Sequence, residues 1–171
     1  VLLPERKIVD AIPDAIARLS ASGVEAASHA ILTTDIGPKV VQATFTHEGR
    51  RGRIVGLAKG AGMIHPNMAT MLAFLMTDVD ASPAFLQRSL KECVDQSFNA
   101  ITVDGDTSTN DTVMLLASGA LKTTTLESAN DGAEFRRALL EVCRQLAWMI
   151  VRDGEGASRV MQIEIRGARS E

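Results

Sequence analysis

The stretch "GLAKGAGMIHPNMATMLAFLMTD", residues 56–78, joins two segments of opposite character. Up to residue 69 it is rich in glycine, whereas from Thr70 onward it is a nearly continuous apolar run. Such a run, bounded by turn residues, is typical of a strand that is buried on both faces. Gly56, Gly60 and Gly62 allow backbone conformations and close approaches that side chains forbid. The stretch therefore predicts a tightly specified loop that ends on a threonine at the start of a buried strand.

The segments before this stretch predict two helices and a hairpin. "KIVDAIPDAIARLSASG" has apolar residues at helical spacing, and Pro13 either starts a second helix or kinks the first. A short helix through "VEAASHA" follows. "KVVQATFTH" and "GRIVGLA" are rich in β-formers, and the intervening "EGRR" has the length and the glycine of a hairpin connection. These two strands are expected to pair.

The segments after the stretch continue the alternation of helix and strand. Ser82 and Pro83 predict the N-cap and first residue of a helix. "DTVMLLASGA" predicts a strand, "GAEFRRALLEVCRQLAWMIVRDG" a long amphipathic helix, and "SRVMQIEIRGA" a final strand. No linker or repeat interrupts the order, so we expect residues 1–171 to form one layered α/β unit.

Composition excludes several classes of function. With 171 residues, 46% apolar and 23% charged residues, and a net charge of −3, the chain has no electrostatic footprint for nucleic acid or anionic lipid. No stretch approaches the ~20 apolar residues of a membrane span, and the start does not resemble a signal peptide. We therefore expect a cytoplasmic protein. Cys93 and Cys143 lie outside any C-x-x-C pair and are predicted to be buried structural thiols.

Thr70 is the residue in the stretch with the most specific chemical use. A threonine at this point is either a packing residue or a nucleophile. If its hydroxyl attacks the carbonyl of Ala69, an N→O acyl shift and hydrolysis leave Thr70 as a new N-terminus. Its α-amine has an intrinsic pKa of about 8 and can serve as the general base for the neighbouring hydroxyl. Self-cleavage would explain so carefully built a loop.

"KGAGMIHPNMATMLAFLMTD" closely resembles the self-cleavage signature of the ornithine acetyltransferases, also called bifunctional glutamate N-acetyltransferases. "AILTTD", "ITVDGDTSTNDTV" and "RDGEGAS" also look like segments of that family, in the family order. The resemblance implies an αββα sandwich of the N-terminal-nucleophile-like kind and a precursor that is cut between Ala69 and Thr70. Residues 1–69 would end its α chain, and residues 70–171 would begin its β chain.

The resemblance also implies roles for individual residues. Thr70 would take the acetyl group from N-acetylornithine and pass it to glutamate. Lys59 and Thr33 match substrate-binding residues, although the neighbouring Thr34 leaves the threonine register open. Lys59 suits a substrate carboxylate. Glu155 matches a substrate-binding acid, and we expect it to meet a substrate amino group.

No metal or organic cofactor is implied, because the acetyl donor is another amino acid; whether acetyl-CoA also serves as a donor is left open. The two chains would stay associated and assemble as a heterotetramer of two cleaved pairs. The family's Thr-Gly oxyanion pair precedes the matched segment, and its C-terminal substrate contacts follow it, so the chain resembles a central fragment. An oxyanion hole is worth about 3–4 kcal/mol. We therefore expect little or no activity from these residues alone.

Two other functions compete with acetyl transfer: phosphoryl transfer, and a non-enzymatic role as an interaction module. "ITVDGDTST" fits the D-x-D-x-T arrangement of phosphoryl-transferring enzymes, with Asp104 as the nucleophile and Asp106 as the acid and base. The same side chains could instead cap a turn beside the active site through local hydrogen bonds. An inactive, truncated interaction module is the non-enzymatic alternative.

Overall fold

The computed structural model describes residues 2–65, 71–128 and 131–167 of the chain. Its elements in chain order are α1 (Glu5–Ala17), α2 (Val24–Ala30), β1 (Lys39–His47), β2 (Arg50–Lys59), β3 (Leu72–Thr77), α3 (Pro83–Asp95), a short 3₁₀ turn (Phe98–Ala100), β4 (Thr112–Ala117) and α4 (Ala133–Arg152). The mixed α/β class expected from the sequence is confirmed. No helix in the described ranges is long and apolar enough to cross a membrane.

The strands form one sheet in the order β1-β2-β3-β4. β1 and β2 are antiparallel, as predicted, and His47 pairs with Arg50 across a turn made of Glu48 and Gly49. Both turn residues have positive φ, which is the backbone of a two-residue hairpin turn matched to the twist of the strands. β2 and β3 are also antiparallel, whereas β3 and β4 are parallel. β1 and β3 therefore begin at the edge of the sheet where β2 ends.

α4 covers one face of the sheet and forms the core with it. Ile54, Leu75 and Leu146 are fully buried there. Gly56 lies within β2 beneath this helix, and a Cβ at this position would come within 2.7 Å of Val142 and 2.8 Å of Leu146. The sequence assigned Gly56 to the specialised loop. The structure instead gives it a packing role, because it lets α4 approach the strand closely.

The opposite face of the sheet differs from the sequence prediction. β3 alternates between buried residues and half-buried ones such as Phe74 and Met76, so the described residues cover one of its faces more completely than the other. Met114 and Leu116 on the neighbouring β4 are 45% and 55% exposed. The face away from α4 is thus apolar and open in the described part of the chain.

The helix starts were predicted more accurately than the last strand. Ser82 Oγ accepts a hydrogen bond from the Phe85 N–H, and Pro83 is the first residue of α3, as expected. α1 continues through Pro13 as a single helix. The predicted final strand is wrong, because residues 158–167 form no strand, and Met161, Ile163 and Ile165 are largely exposed. A strand needs a neighbour for its backbone hydrogen bonds, and no described strand lies beside this segment.

Candidate functional site

A cleft of about 360 Å³ lies where β2 ends and the glycine-rich loop begins. Four separate segments line it: the connection after α2, the end of β2 with the glycine-rich loop, the loop before β4, and the segment that follows α4. The cleft brings together the three substrate-binding residues that were predicted in addition to Thr70, namely Thr33, Lys59 and Glu155. Thr34, Ala61, Gly62, Met63, Asp104 and Asp106 complete the lining.

Lys59 is the last residue of β2 and is only 7% exposed. Its Nζ donates a hydrogen bond of 2.6 Å to Thr33 Oγ1 and lies 3.9 Å from Asp35 Oδ2. The side chain is therefore a buried, partnered ammonium rather than a solvated surface charge. Thr33 makes this contact and Thr34 lines the same cleft.

Glu155 reaches the cleft from the segment after α4. Its backbone N–H donates a hydrogen bond of 2.7 Å to the carbonyl of Ala61 in the glycine-rich loop. A Cβ at Gly62 would lie 3.0 Å from the Glu155 carboxyl group, which is tighter than ordinary contact. Gly62 thus allows the Glu155 carboxylate to lie directly against the loop.

A buried cluster of charges joins the segments that carry these side chains. Asp35 and Lys39 have side chains 0% and 2% exposed, and Lys39 Nζ donates to Asp35 Oδ1 at 2.7 Å. Lys39 also donates to the Asp153 carboxylate. Burial alone would raise the pKa of Asp35. Hydrogen bonds from Lys39 and from the Gly60 and Thr33 amides outweigh that effect and hold the pKa below its usual range.

The sequence analysis missed this cluster. Lys39 shares the inward face of β1 with Val41 and Phe45, so a lysine in an otherwise apolar alternation was the one signal available.

Asp104 holds the glycine-rich loop in place. Its Oδ2 accepts from the Met63 N–H at 2.6 Å, and its Oδ1 accepts from the N–H groups of Ile64 at 3.0 Å and Asp106 at 3.2 Å. Burial is the largest single effect on the Asp104 pKa and raises it, but the backbone hydrogen bonds together outweigh burial and hold the pKa below its usual range. Met63 itself has positive φ. With both oxygens committed to backbone amides, Asp104 fits the capping role and not that of a phosphoryl-accepting nucleophile.

The predicted cleavage site, Ala69 and Thr70, lies outside the described residues, but both flanks are fixed. On one side, the Ile64 carbonyl accepts from the Val103 N–H at 2.8 Å. On the other, the Met71 N–H donates to Asp111 Oδ1 at 2.6 Å. Burial raises the pKa of Asp111 to about 6, although this hydrogen bond and the charge of Lys59 oppose the rise.

His65 and the cysteines have the structural roles expected of them. His65 Nδ1 lies 3.3 Å from Thr102 Oγ1, which is a single loop hydrogen bond. Cys93 and Cys143 are buried free thiols, and burial raises the pKa of Cys93 to about 11. The described residues contain no group of three or more histidine, cysteine, aspartate or glutamate side chains arranged to hold a metal ion.

Comparison with known proteins identifies the family of the chain. The model of the ArgJ family matches residues 1–171, which is the whole chain. The chain belongs to the ArgJ family. The arginine biosynthesis bifunctional protein ArgJ of Geobacter sulfurreducens is 47% identical over 172 residues, which is 100% of this chain and 44% of that protein. The glutamate N-acetyltransferase of Methanopyrus kandleri is 53% identical over 146 residues, which is 84% of this chain and 36% of that protein.

A crystal structure of the ArgJ protein of Bacillus halodurans is also similar, with 46% identity and a TM-score of 0.48 over 50% of this chain and 41% of that one. This ArgJ-family chain spans less than half the length of the curated relatives it matches. The expected family is therefore confirmed, and so is the match to only part of a longer protein.

Proposed function

We propose that this ArgJ-family chain is the part of a self-cleaving acyltransferase that holds the nucleophile and one side of the substrate cleft. The reaction would move an acetyl group from N-acetylornithine to glutamate. Family membership supports the class of reaction, because similar proteins are named glutamate N-acetyltransferase and arginine biosynthesis bifunctional protein. The observation that carries the proposal is the convergence of Thr33, Lys59 and Glu155 in one cleft from three distant segments.

The charges of the cleft suit an amino-acid substrate. The Lys59 ammonium and the Thr33 hydroxyl would bind a substrate carboxylate, and the Glu155 carboxylate would bind a substrate ammonium group. A volume of about 360 Å³ is at the small end of ligand pockets, as expected for an amino-acid derivative. Both substrates carry a carboxylate, so one cationic site would serve the two half-reactions in turn.

Thr70 would act twice. First its hydroxyl attacks the Ala69 carbonyl, the peptide becomes an ester, and water hydrolyses that ester to give the Ala69 carboxylate and the free α-amine of Thr70. The amine then takes the hydroxyl proton as Thr70 Oγ attacks the acetyl carbonyl of N-acetylornithine. Ornithine leaves with that proton on its nitrogen, and an acetyl-threonine ester remains. The amine of glutamate attacks this ester to form N-acetylglutamate and regenerate Thr70.

The contacts of β3 support the proposal that the two cleaved chains stay together. Every residue of β3 pairs with β2 across the proposed cleavage site, from Ile54↔Thr77 to Lys59↔Leu72. The open apolar face of the sheet supports a further layer from the rest of the longer protein, as in an αββα sandwich. We propose a heterotetramer of two cleaved pairs, with a native mass about four times the mean mass of the two denatured chains.

The test uses the full-length protein as wild type and as Thr70→Ala. Denatured intact masses of the wild type are expected to give two chains with their boundary at Ala69 and Thr70, and the variant a single chain. Formation of N-acetylglutamate from N-acetylornithine and glutamate is expected only in the wild type, and replacing N-acetylornithine by acetyl-CoA tests for bifunctional use. One uncut chain in both proteins would exclude the N-terminal threonine mechanism.

A further inference from the structure

Asp35 lies between two lysines that serve different purposes. Its Oδ1 accepts from Lys39 Nζ at 2.7 Å, whereas its Oδ2 lies 3.9 Å from Lys59 Nζ, which is beyond hydrogen-bond distance. Lys59 donates instead to Thr33 Oγ1 at 2.6 Å. Lys39, which does not line the cleft, therefore provides the ammonium that hydrogen-bonds Asp35. Lys59, which lines the cleft, remains on Thr33.

Lys39 is held in this position from a second side. It also donates to the carboxylate of Asp153, and Asp153 accepts at 3.1 Å from the Ile36 N–H. Asp153 is the C-cap residue of α4, two residues before Glu155. One ammonium thus joins the segment of Thr33, the start of β1 and the segment of Glu155.

The charges of this cluster balance only as a set. Asp35 and Asp153 contribute two carboxylates, and Lys39 and Lys59 contribute two ammonium groups. A buried carboxylate that loses its cationic partner is strongly destabilised. It is therefore expected to form a new ion pair with a nearby cation. Within the described part of the chain, Lys59 is the other cation at ion-pair distance from Asp35, with its Nζ 3.9 Å from Asp35 Oδ2. If Lys39 is removed, we therefore expect Lys59 to take its place beside Asp35.

We propose that Lys39 is a positioning residue for the cleft: by occupying Asp35 it keeps the Lys59 ammonium on Thr33 and available to a substrate carboxylate. The kinetic consequence rests on the proposed function of the cleft. The structural consequence, the position of Lys59, does not.

The experiment compares four full-length proteins: wild type, Lys39→Met, the double variant Lys39→Met/Asp35→Asn, and Lys91→Met as the matched control. Lys91 forms an exposed ion pair with Asp95, so its replacement removes a lysine and an ion pair without touching the cleft. The double variant removes the carboxylate together with its ammonium. It therefore leaves no uncompensated charge at Asp35 if Lys39→Met alone fails to fold.

Crystal structures give the first readout. In Lys39→Met we expect Lys59 Nζ to leave Thr33 Oγ1 and come within hydrogen-bond distance of residue 35, and in the double variant to stay on Thr33. Steady-state acetyl transfer gives the second. In Lys39→Met we expect KM for glutamate to rise about ten- to a hundredfold, with a smaller change in kcat, because a charged hydrogen bond to substrate is lost. The double variant should recover most of that loss, and Lys91→Met should match the wild type.

Two results would overturn the proposal. One is Lys59 still on Thr33 in the Lys39→Met structure. The other is a double variant whose KM is as high as, or higher than, that of Lys39→Met; if Lys39→Met does not fold, a KM in the double variant more than tenfold above wild type has the same meaning. Absence of acetyl transfer in the wild type would refute the proposed function instead, and the structural readout would still decide the role of Lys39.

Discussion

The core beneath α4 and the charge cluster at the edge of the sheet are both largely buried, but they consist of opposite kinds of side chain. Ile54, Leu75 and Leu146 in the core are apolar, whereas Asp35 and Lys39 in the cluster form a salt bridge. Burial of apolar surface stabilises a fold directly. A buried ion pair often stabilises no more than apolar residues of the same volume would. The difference indicates that the core holds the chain folded, while the cluster sets the geometry of the cleft.

The largest expected effect separates the two regions through stability. Leu146→Ala in the full-length protein should lower the free energy of unfolding by about 2–5 kcal/mol, because it removes a fully buried side chain beneath α4. KM for glutamate should remain that of the wild type. Urea denaturation and steady-state kinetics measure the two quantities. A variant of unchanged stability, or one with a raised KM, would break the division between core and cleft.

Gly56→Ala should also lower the free energy of unfolding, but by less than Leu146→Ala. Its Cβ would press on Val142 and Leu146 at 2.7 and 2.8 Å, and overpacking of this kind costs about 1–3 kcal/mol. Gly37→Ala is the matched control, since a Cβ there meets nothing within 4 Å. Urea denaturation of both full-length variants is the measurement. Equal stability in the two would contradict the packing role assigned to Gly56.

Asp111 should make stability depend on pH at the start of β3. Its pKa is raised from 3.8 to about 6 in the fold, so folding favours the protonated acid. This contribution is complete below about pH 4 and is lost as pH rises through about 6. Asp111→Asn keeps an oxygen for the Met71 N–H. Compared with this variant, the wild type should lose stability between pH 4 and 6, as followed by urea denaturation at each pH. Parallel profiles would contradict the prediction.

Gly62→Ala should have the smallest effect on stability and a clear one on function. Its Cβ would lie 3.0 Å from the Glu155 carboxyl, which can move because it is the end of a flexible side chain. The free energy of unfolding should change by less than about 1 kcal/mol. KM for N-acetylornithine should rise about tenfold as Glu155 is displaced. Gly37→Ala is again the control, and kinetics with unchanged KM would place Glu155 outside substrate binding.

The parts of the fold that sequence reasoning predicted are those that depend on neighbouring residues. The start of α3 follows from Ser82 and Pro83, and the hairpin from the connection "EGRR", because caps and turns are local interactions. The turn is shorter than predicted, since Arg50 and Arg51 already belong to β2. The final strand failed since alternation of Met161, Ile163 and Ile165 does not provide the neighbouring strand on which pairing depends.

The candidate site divides in the same way. The family resemblance carried over Lys59, Thr33 and Glu155, and the three lie in one cleft. The Lys39–Asp153 pair could not be predicted, because it joins residues 114 apart in sequence and depends on how α4 ends beside β1. Gly56 was assigned to the loop rather than to packing, since its contact with α4 is also remote along the chain.

Binding of substrate by the cleft is the central claim, and Lys59→Met in the full-length protein tests it most directly. Acetyl transfer from N-acetylornithine should be measured over a range of glutamate concentrations, with Lys91→Met as the control. The account predicts a KM for glutamate raised about ten- to a hundredfold, with Lys91→Met unchanged. A KM equal to that of the wild type would contradict it, because Lys59 would then be only a buried structural ammonium.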